Sequence, residues 1–559
     1  MKSLSLAILC LGLAVAEAAV KYDVVITNGR IVDGTGSPWY SGDIGIRAGK
    51  IAAIGQLAEA SRKETIDARG KVVAPGFIDM LGQSEWSILV DPRLPSKIFQ
   101  GITTEITGEG ESIAPITKAI RAADQPSHAQ YQVKVDWLTL AEYFKRLEKQ
   151  GMGINLATYV GAAQVRRIVL GMDDRQPTPA QLEEMQRLVR EAMLDGAVGV
   201  SSSLIYAPAT FAKTSELIAL AREAAKFGGI YATHIRNEGD TIAEALDEAF
   251  QIGREAKIPV EIWHLKAAGK PNWGRMPEIV AKINAARAQG IDVAADTYGY
   301  TASYNGLASY IPPWAHDGGT AKMIARLKDP VTRAKIKKEM LEPARDWENE
   351  WLSTPGPEAI LIGFCHNPAL KSLQGKTIAD VAALWKKEPL EAFFDLLIQD
   401  DGYVSAARFG MSEADVALGV QQPWVSFDCD SQGASPEGLL GTRHPHPRAY
   451  GTFPRILRKY VREEKKLTLE EAIRKMTALP AQRMRLIDRG ALKGGLWADI
   501  VIFDPATIRD VATFDKPNQL SDGMEYVLVN GVPVISEGKM TGKLPGKVLR
   551  GPGWQGSKK

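Results

Sequence analysis

Gly229-Ile230-Tyr231-Ala232-Thr233-His234-Ile235-Arg236-Asn237-Glu238 is followed by Ile258-Pro259-Val260-Glu261-Ile262-Trp263-His264-Leu265-Lys266, whose histidine lies 30 residues after the first. Each histidine closes a short apolar, strand-like run. Between them Ile242, Ala245, Leu246, Ala249, Phe250 and Ile252 recur at helical spacing. The unit is strand–helix–strand with a histidine at the C-terminal end of each strand. In a (β/α) barrel those ends meet at one mouth, where the chemistry of such enzymes is done. A strand-end histidine with an ordinary hydrogen bond is the alternative for either residue alone. With only seven histidines in the chain, the pair reads as two nitrogen ligands of a metal.

Working outward, Asp23-Val24-Val25-Ile26-Thr27-Asn28-Gly29 opens a series of short strands with Gly-rich turns, and a matching block returns at Ala498 to Asp504. The expected fold is α/β. A (β/α)8 TIM-like barrel occupies 75–487, with a small β-sandwich assembled from 20–74 and 488–559. About 130 residues separate Asp296 from the strand Trp424-Val425-Ser426-Phe427. A crossover helix needs far fewer, so an insertion at about 305–422 is expected to cover the barrel mouth.

The length of 559 residues suits a large α/β domain with a smaller partner, and 45% hydrophobic and 24% charged residues are those of a globular protein. A net charge of +2 without like-charge runs argues against nucleic acid and anionic membranes. Lys2, the apolar run Leu4 to Ala16 and Ala16-Glu17-Ala18 read as a signal peptide over 1–19. A secreted or periplasmic protein with no membrane attachment after processing is expected. The two cysteines beyond that segment, Cys365 and Cys429, are no disulfide framework. Cys365 beside His366 suggests a nucleophile pair, but adjacent strand side chains point apart.

Several segments resemble the amidohydrolase superfamily, most closely its N-acyl-D-amino-acid deacylase (D-aminoacylase) branch. They are Val73-Ala74-Pro75-Gly76-Phe77-Ile78-Asp79, Gln100-Gly101-Ile102-Thr103-Thr104, Gly199 to Pro208, Thr233 to Glu238, His264 to Gly269 and His446 to Arg455. The departures are specific. Where that branch carries His-X-His after the first strand, this chain has Met80-Leu81-Gly82-Gln83-Ser84-Glu85. Where it carries a cysteine after the second strand, this chain has Thr107-Gly108-Glu109-Gly110-Glu111, and Ala162 replaces a further family histidine.

The resemblance implies a zinc enzyme that hydrolyses an amide through a metal-activated water. His234 and His264 supply two ligands, and Glu109, standing where the family has cysteine, is the expected third, with Glu111 as its rival. One principal site is expected, and another divalent metal would also suit N/O ligation. Asp430 resembles the catalytic aspartate that closes the last barrel strand, with Asp428 as its rival. Gln83 and Glu85 are expected to hydrogen-bond around the site rather than to bind metal. Strand alternation points Lys266 at the same mouth, while Tyr298 and Ser303 match the family's carboxylate-binding region. Arg236, Arg448 and His446 are further substrate-binding candidates, and His444 is read as a loop residue. The expected substrates are N-acyl-D-amino acids or D-residue dipeptides. A hydantoinase-like cyclic amide hydrolase and a non-catalytic N-acyl amino acid binding protein are the alternatives.

Overall fold

The computed structural model describes residues 22–57 and 60–556. The signal peptide expected over 1–19 lies outside the described residues. Among the described residues no helix is long and apolar enough to cross a membrane.

Eight parallel strands form the barrel. They are β1 (Phe77–Asp79), β2 (Ile102–Thr107), β3 (Asn155–Thr158, continued by Val160–Gly161), β4 (Gly199–Ser203), β5 (Ile230–His234), β6 (Val260–Ile262), β7 (Val293–Thr297) and β8 (Val425–Phe427). They pair in chain order, β3 meeting β4 through Val160 and Val200. The ring closes where Met80 N donates to Phe427 O (3.3 Å) and Asp430 N to Leu81 O (2.9 Å). Every residue of β5, β6, β7 and β8 is buried, as parallel strands covered by helices must be. The predicted helix forms as α1 (Ile242–Ala256), its buried face made of the residues that set the period. Gly253 lets α1 approach β6, since a Cβ there would lie 2.6 Å from Val260 Cγ2.

Strands from both chain ends hydrogen-bond as one nine-stranded sheet, which folds about its own core of Val24, Ile26, Ile44, Ile46, Ile500 and Leu528. The expectation placed all of 488–559 in this unit, and the tail departs from it. Pro545 and Val548 pair instead with Met152 and Leu156 of the barrel, because the buried β3 offers backbone partners at its base.

Between β7 and β8, Ser303–Gly306, Ile360–Phe364 and Ser405–Arg408 make an antiparallel sheet. With its helices it encloses a second core around Leu307, Ile362 and Phe393. This insertion is tied to the barrel mouth: Glu348 Oε2 accepts from the backbone N–H of Glu238 (2.7 Å).

Candidate active site

Three donors converge above the strand ends. Glu109 sits in the turn after β2, between Gly108 (φ 97°) and Gly110 (φ 61°). Both flanking residues must be glycine for steric reasons as well. A Cβ on Gly110 would lie 2.5 Å from Ser203 Cβ, and one on Gly108 2.7 Å from Tyr159 O. The turn aims Glu109 Oε1 to 3.5 Å from His234 Nδ1 and 3.8 Å from His264 Nε2. One ligand atom from each residue lies within 4.8 Å of the others, and theirs is the sole such cluster among the described residues. Tetrahedral ligands about 2 Å from a zinc ion stand roughly 3.3 Å apart, so these side chains fit a divalent metal with little movement. Ser203 Oγ donates to Glu109 Oε1 (2.8 Å). Although burial opposes its ionisation, the two imidazoles hold the Glu109 carboxyl well below the usual range.

Glu238 orients His264. The Nδ1 of His264 is open to two arrangements, accepting from Lys266 Nζ at 2.7 Å or donating to Glu238 Oε1 at 2.9 Å. Only the second leaves the Nε2 lone pair free for a metal. Lys266 Nζ also pairs with Glu238 Oε1 (2.6 Å). Against the cost of burial, the Lys266 charge keeps the Glu238 carboxyl ionised. Sequence reading missed Glu238; its spacing of four from His234 was the available signal.

Asp430 projects into the same cavity. Its Oδ1 accepts from Gln83 Nε2 (3.0 Å) and its Oδ2 lies 2.8 Å from Arg448 Nη1. Burial pushes its carboxyl above the ordinary aspartate value, with Arg448 opposing. Asp428 instead lies beneath, against Asp296 in the barrel interior, and burial together with the Asp430 charge favours its neutral form. Glu111 lines the cavity and a neighbouring pocket but is not part of the donor cluster.

Opposite the metal donors, several buried polar atoms have no protein partner: Tyr298 Oη, Ser303 Oγ and Arg448 Nε and Nη1. The Arg448–Asp430 contact is thus an ion pair whose N–H is not aimed at the oxygen. Burial pushes the Tyr298 hydroxyl up to about 12, so it remains a donor. Buried donors without partners are rare in folded proteins. Their clustering beside Lys266 marks a place for a carboxylate. The whole opens into a cavity of about 670 Å³ lined by Gln83, Glu109, Tyr206, Tyr304 and Asp430.

The sequence profile of the amidohydrolase family matches residues 64–336 and 438–535. This chain belongs to the amidohydrolase family. The amidohydrolase is 36% identical to an N-acyl-D-glutamate deacylase of Alcaligenes xylosoxydans xylosoxydans over 538 residues, 95% of this chain and 97% of the relative. Among solved structures it is similar to N-acyl-D-glutamate deacylase from Bordetella bronchiseptica, in complex with zinc and a phosphonate mimic of the tetrahedral intermediate. There the TM-score is 0.79 at 35% identity, over 95% of this chain and 100% of that one. It is also similar to a D-aminoacylase described as having a binuclear metal centre with one-metal activation and second-metal attenuation. That match has a TM-score of 0.78 at 33% identity, again over 95% of this chain and 100% of that one.

Two expectations for this amidohydrolase need correction. Arg236 does not face the cavity. Its Nε and Nη2 donate to Glu248 of α1, and Nη1 and Nη2 to the carbonyls of Thr210 and Ala212. It follows the last residue of β5 by two, but the chain has already turned outward there. His446 borders the cavity with both ring nitrogens occupied, Nε2 by Ala302 O (3.0 Å) and Nδ1 by the N–H of Arg448 (2.9 Å). It positions Arg448 and offers substrate only a ring face. His444 binds Phe514 O, as a loop residue would. Burial pushes the Cys365 thiol up to about 12, which leaves no thiolate beside His366.

Proposed function

We propose that this amidohydrolase is an exported enzyme that works with one principal zinc ion and cleaves the amide bond of N-acyl-D-amino acids or D-residue dipeptides. One observation carries the reading: the metal-type donor triad, Asp430, Lys266 and the unpartnered Ser303 hydroxyl line one cavity, with the unpartnered Tyr298 and Arg448 packed against Lys266 and Asp430. A zinc ion held by Glu109, His234 and His264 would polarise the scissile carbonyl and acidify a water. Lys266, Tyr298, Ser303 and Arg448 would hold the α-carboxylate, fixing the amide against Asp430. Asp430 takes the proton of the attacking water and returns it to the leaving nitrogen. Gln83 donates a hydrogen bond to one of its oxygens, and Arg448 forms an ion pair with the other. The D preference rests on the likeness to relatives whose names specify it. Export rests on the N-terminal segment.

The cyclic-amide reading is weaker, because nothing in Met80 to Glu85 replaces the first-strand His-X-His expected of hydantoinase-like enzymes. The binding-protein reading leaves the donor triad without a purpose. The test is amine release from paired D and L N-acetyl amino acids and dipeptides by zinc-loaded and chelator-stripped protein. Zinc-dependent turnover of D substrates alone is expected. Turnover confined to cyclic amides, or none with zinc bound, would overturn the reading.

A further inference from the structure

Gln83 is the one residue of Met80 to Glu85 that reaches the donor triad. Met80 and Leu81 are buried apolar residues of the core. Gly82 has no room for a side chain, since a Cβ there would lie 1.7 Å from Glu105 Oε1. Ser84 Oγ donates to Glu105 (2.7 Å), and Glu85 Oε1 accepts from Gly108 N–H (2.7 Å). The Gln83 amide nitrogen, in contrast, lies 2.8 Å from Glu109 Oε2 and 3.0 Å from Asp430 Oδ1. Two carboxylate oxygens can face a carboxamide only through its NH2, which has one hydrogen for each.

A neutral NH2 between two carboxylates turns two partly positive hydrogens to the place where a bridging cation would otherwise sit. Resting on the zinc reading above, we propose that the Gln83 carboxamide closes a second metal position between Glu109 and Asp430. It thereby confines this protein to one metal and positions Asp430 as a base rather than a ligand. A second feature acts in the same direction. Arg448 Nη1 lies 2.8 Å from the other oxygen of Asp430, and a fixed guanidinium repels a second dication there. Amide oxygens of glutamine are poor zinc ligands compared with imidazole, thiolate or carboxylate, so rotating the amide does not open the site. The D-aminoacylase relative is described with a binuclear centre and attenuation by its second metal. In this chain that attenuation has no site.

The test is zinc stoichiometry of the full-length protein after stripping, reloading with excess zinc and desalting, read by elemental analysis and by calorimetric titration. The wild type is expected to retain one zinc, lost in His264→Ala, with rates unchanged as zinc is raised well beyond saturation. Gln83→Glu replaces the NH2 by a third carboxylate oxygen and is expected to retain two, the second lost again in Gln83→Glu/Asp430→Asn. A wild type holding two zinc ions, one of them lost in Asp430→Asn, would overturn the inference while sparing the deacylase reading. So would a Gln83→Glu protein that keeps the first zinc and takes no second. Should Gln83→Glu fail to fold, the wild-type count and its Asp430→Asn comparison decide alone. A wild type that binds no zinc would overturn the metal reading and this inference with it.

Discussion

His264 and Asp430 face one cavity from the barrel rim, and each holds its backbone in the left-handed region, at φ 39° and φ 42°. Neither is glycine, and such a conformation costs about 1–2 kcal/mol. The surrounding contacts enforce it: His264 N–H donates to Asp296 Oδ1 (2.5 Å) and Asp430 N–H to Leu81 O (2.9 Å). Strain of this kind gathers where side-chain direction matters more than stability.

Asp430→Asn is therefore a clean probe, because asparagine also tolerates the left-handed region. Turnover is expected to fall by about 10²–10⁴-fold, the range of a lost general acid–base. Zinc content should stay at the wild-type value. Elemental analysis beside steady-state rates checks both; a variant that keeps its rate removes Asp430 from the mechanism.

Zinc should also stabilise the fold. Excess zinc at about 100 times its dissociation constant adds roughly 2.7 kcal/mol to a state that alone binds it. The melting temperature of the stripped protein is expected to rise on adding zinc, and His264→Ala should abolish that rise. Differential scanning calorimetry at fixed protein concentration reads the difference.

The Tyr298 hydroxyl is buried without a partner. Tyr298→Phe is expected to leave stability unchanged or slightly higher, since an unsatisfied buried group is removed. KM for N-acyl amino acids should rise about 10–150-fold, the loss of one hydrogen bond to a charged group worth about 1.5–3 kcal/mol. A KM equal to wild type would take Tyr298 out of the carboxylate site.

Glu85 links stability to pH. Burial pushes its carboxyl from 4.5 up to about 7. The folded state therefore holds a proton that the unfolded chain has released between those values. Its contribution is fully present below 4.5 and is lost as pH rises through about 7, by about 3 kcal/mol at 1.36 kcal/mol per unit. Glu85→Gln should flatten the fall in melting temperature over that window and gain most at pH 8. An unchanged pH profile would mean Glu85 is ionised throughout.

Lys97 is fully buried, its ammonium 2.7 Å from Asp79 and 3.3 Å from Glu105, and it donates to Ser431 O at 2.8 Å. Lys97→Met leaves two buried carboxylates without their cation and is expected to cost about 3–5 kcal/mol. Because Ser431 follows Asp430, kcat should fall as well. Chemical denaturation and rates on folded protein separate the two effects.

The local pattern was enough to place the histidines. A period of two in β5 and of 3.6 in α1 determines which face each residue takes, and both periods are properties of a few consecutive residues. Past the strand ends that logic stops. Arg236 is drawn out of the cavity by Glu248, on the helix that follows β5. Gln83 and Asp430 are 347 residues apart, and Glu348 reaches Glu238 from the insertion. Such pairs exist only once the barrel has closed and the insertion has docked. Periodicity sets the face on which a side chain emerges; what it meets there is set by burial among groups distant in the chain.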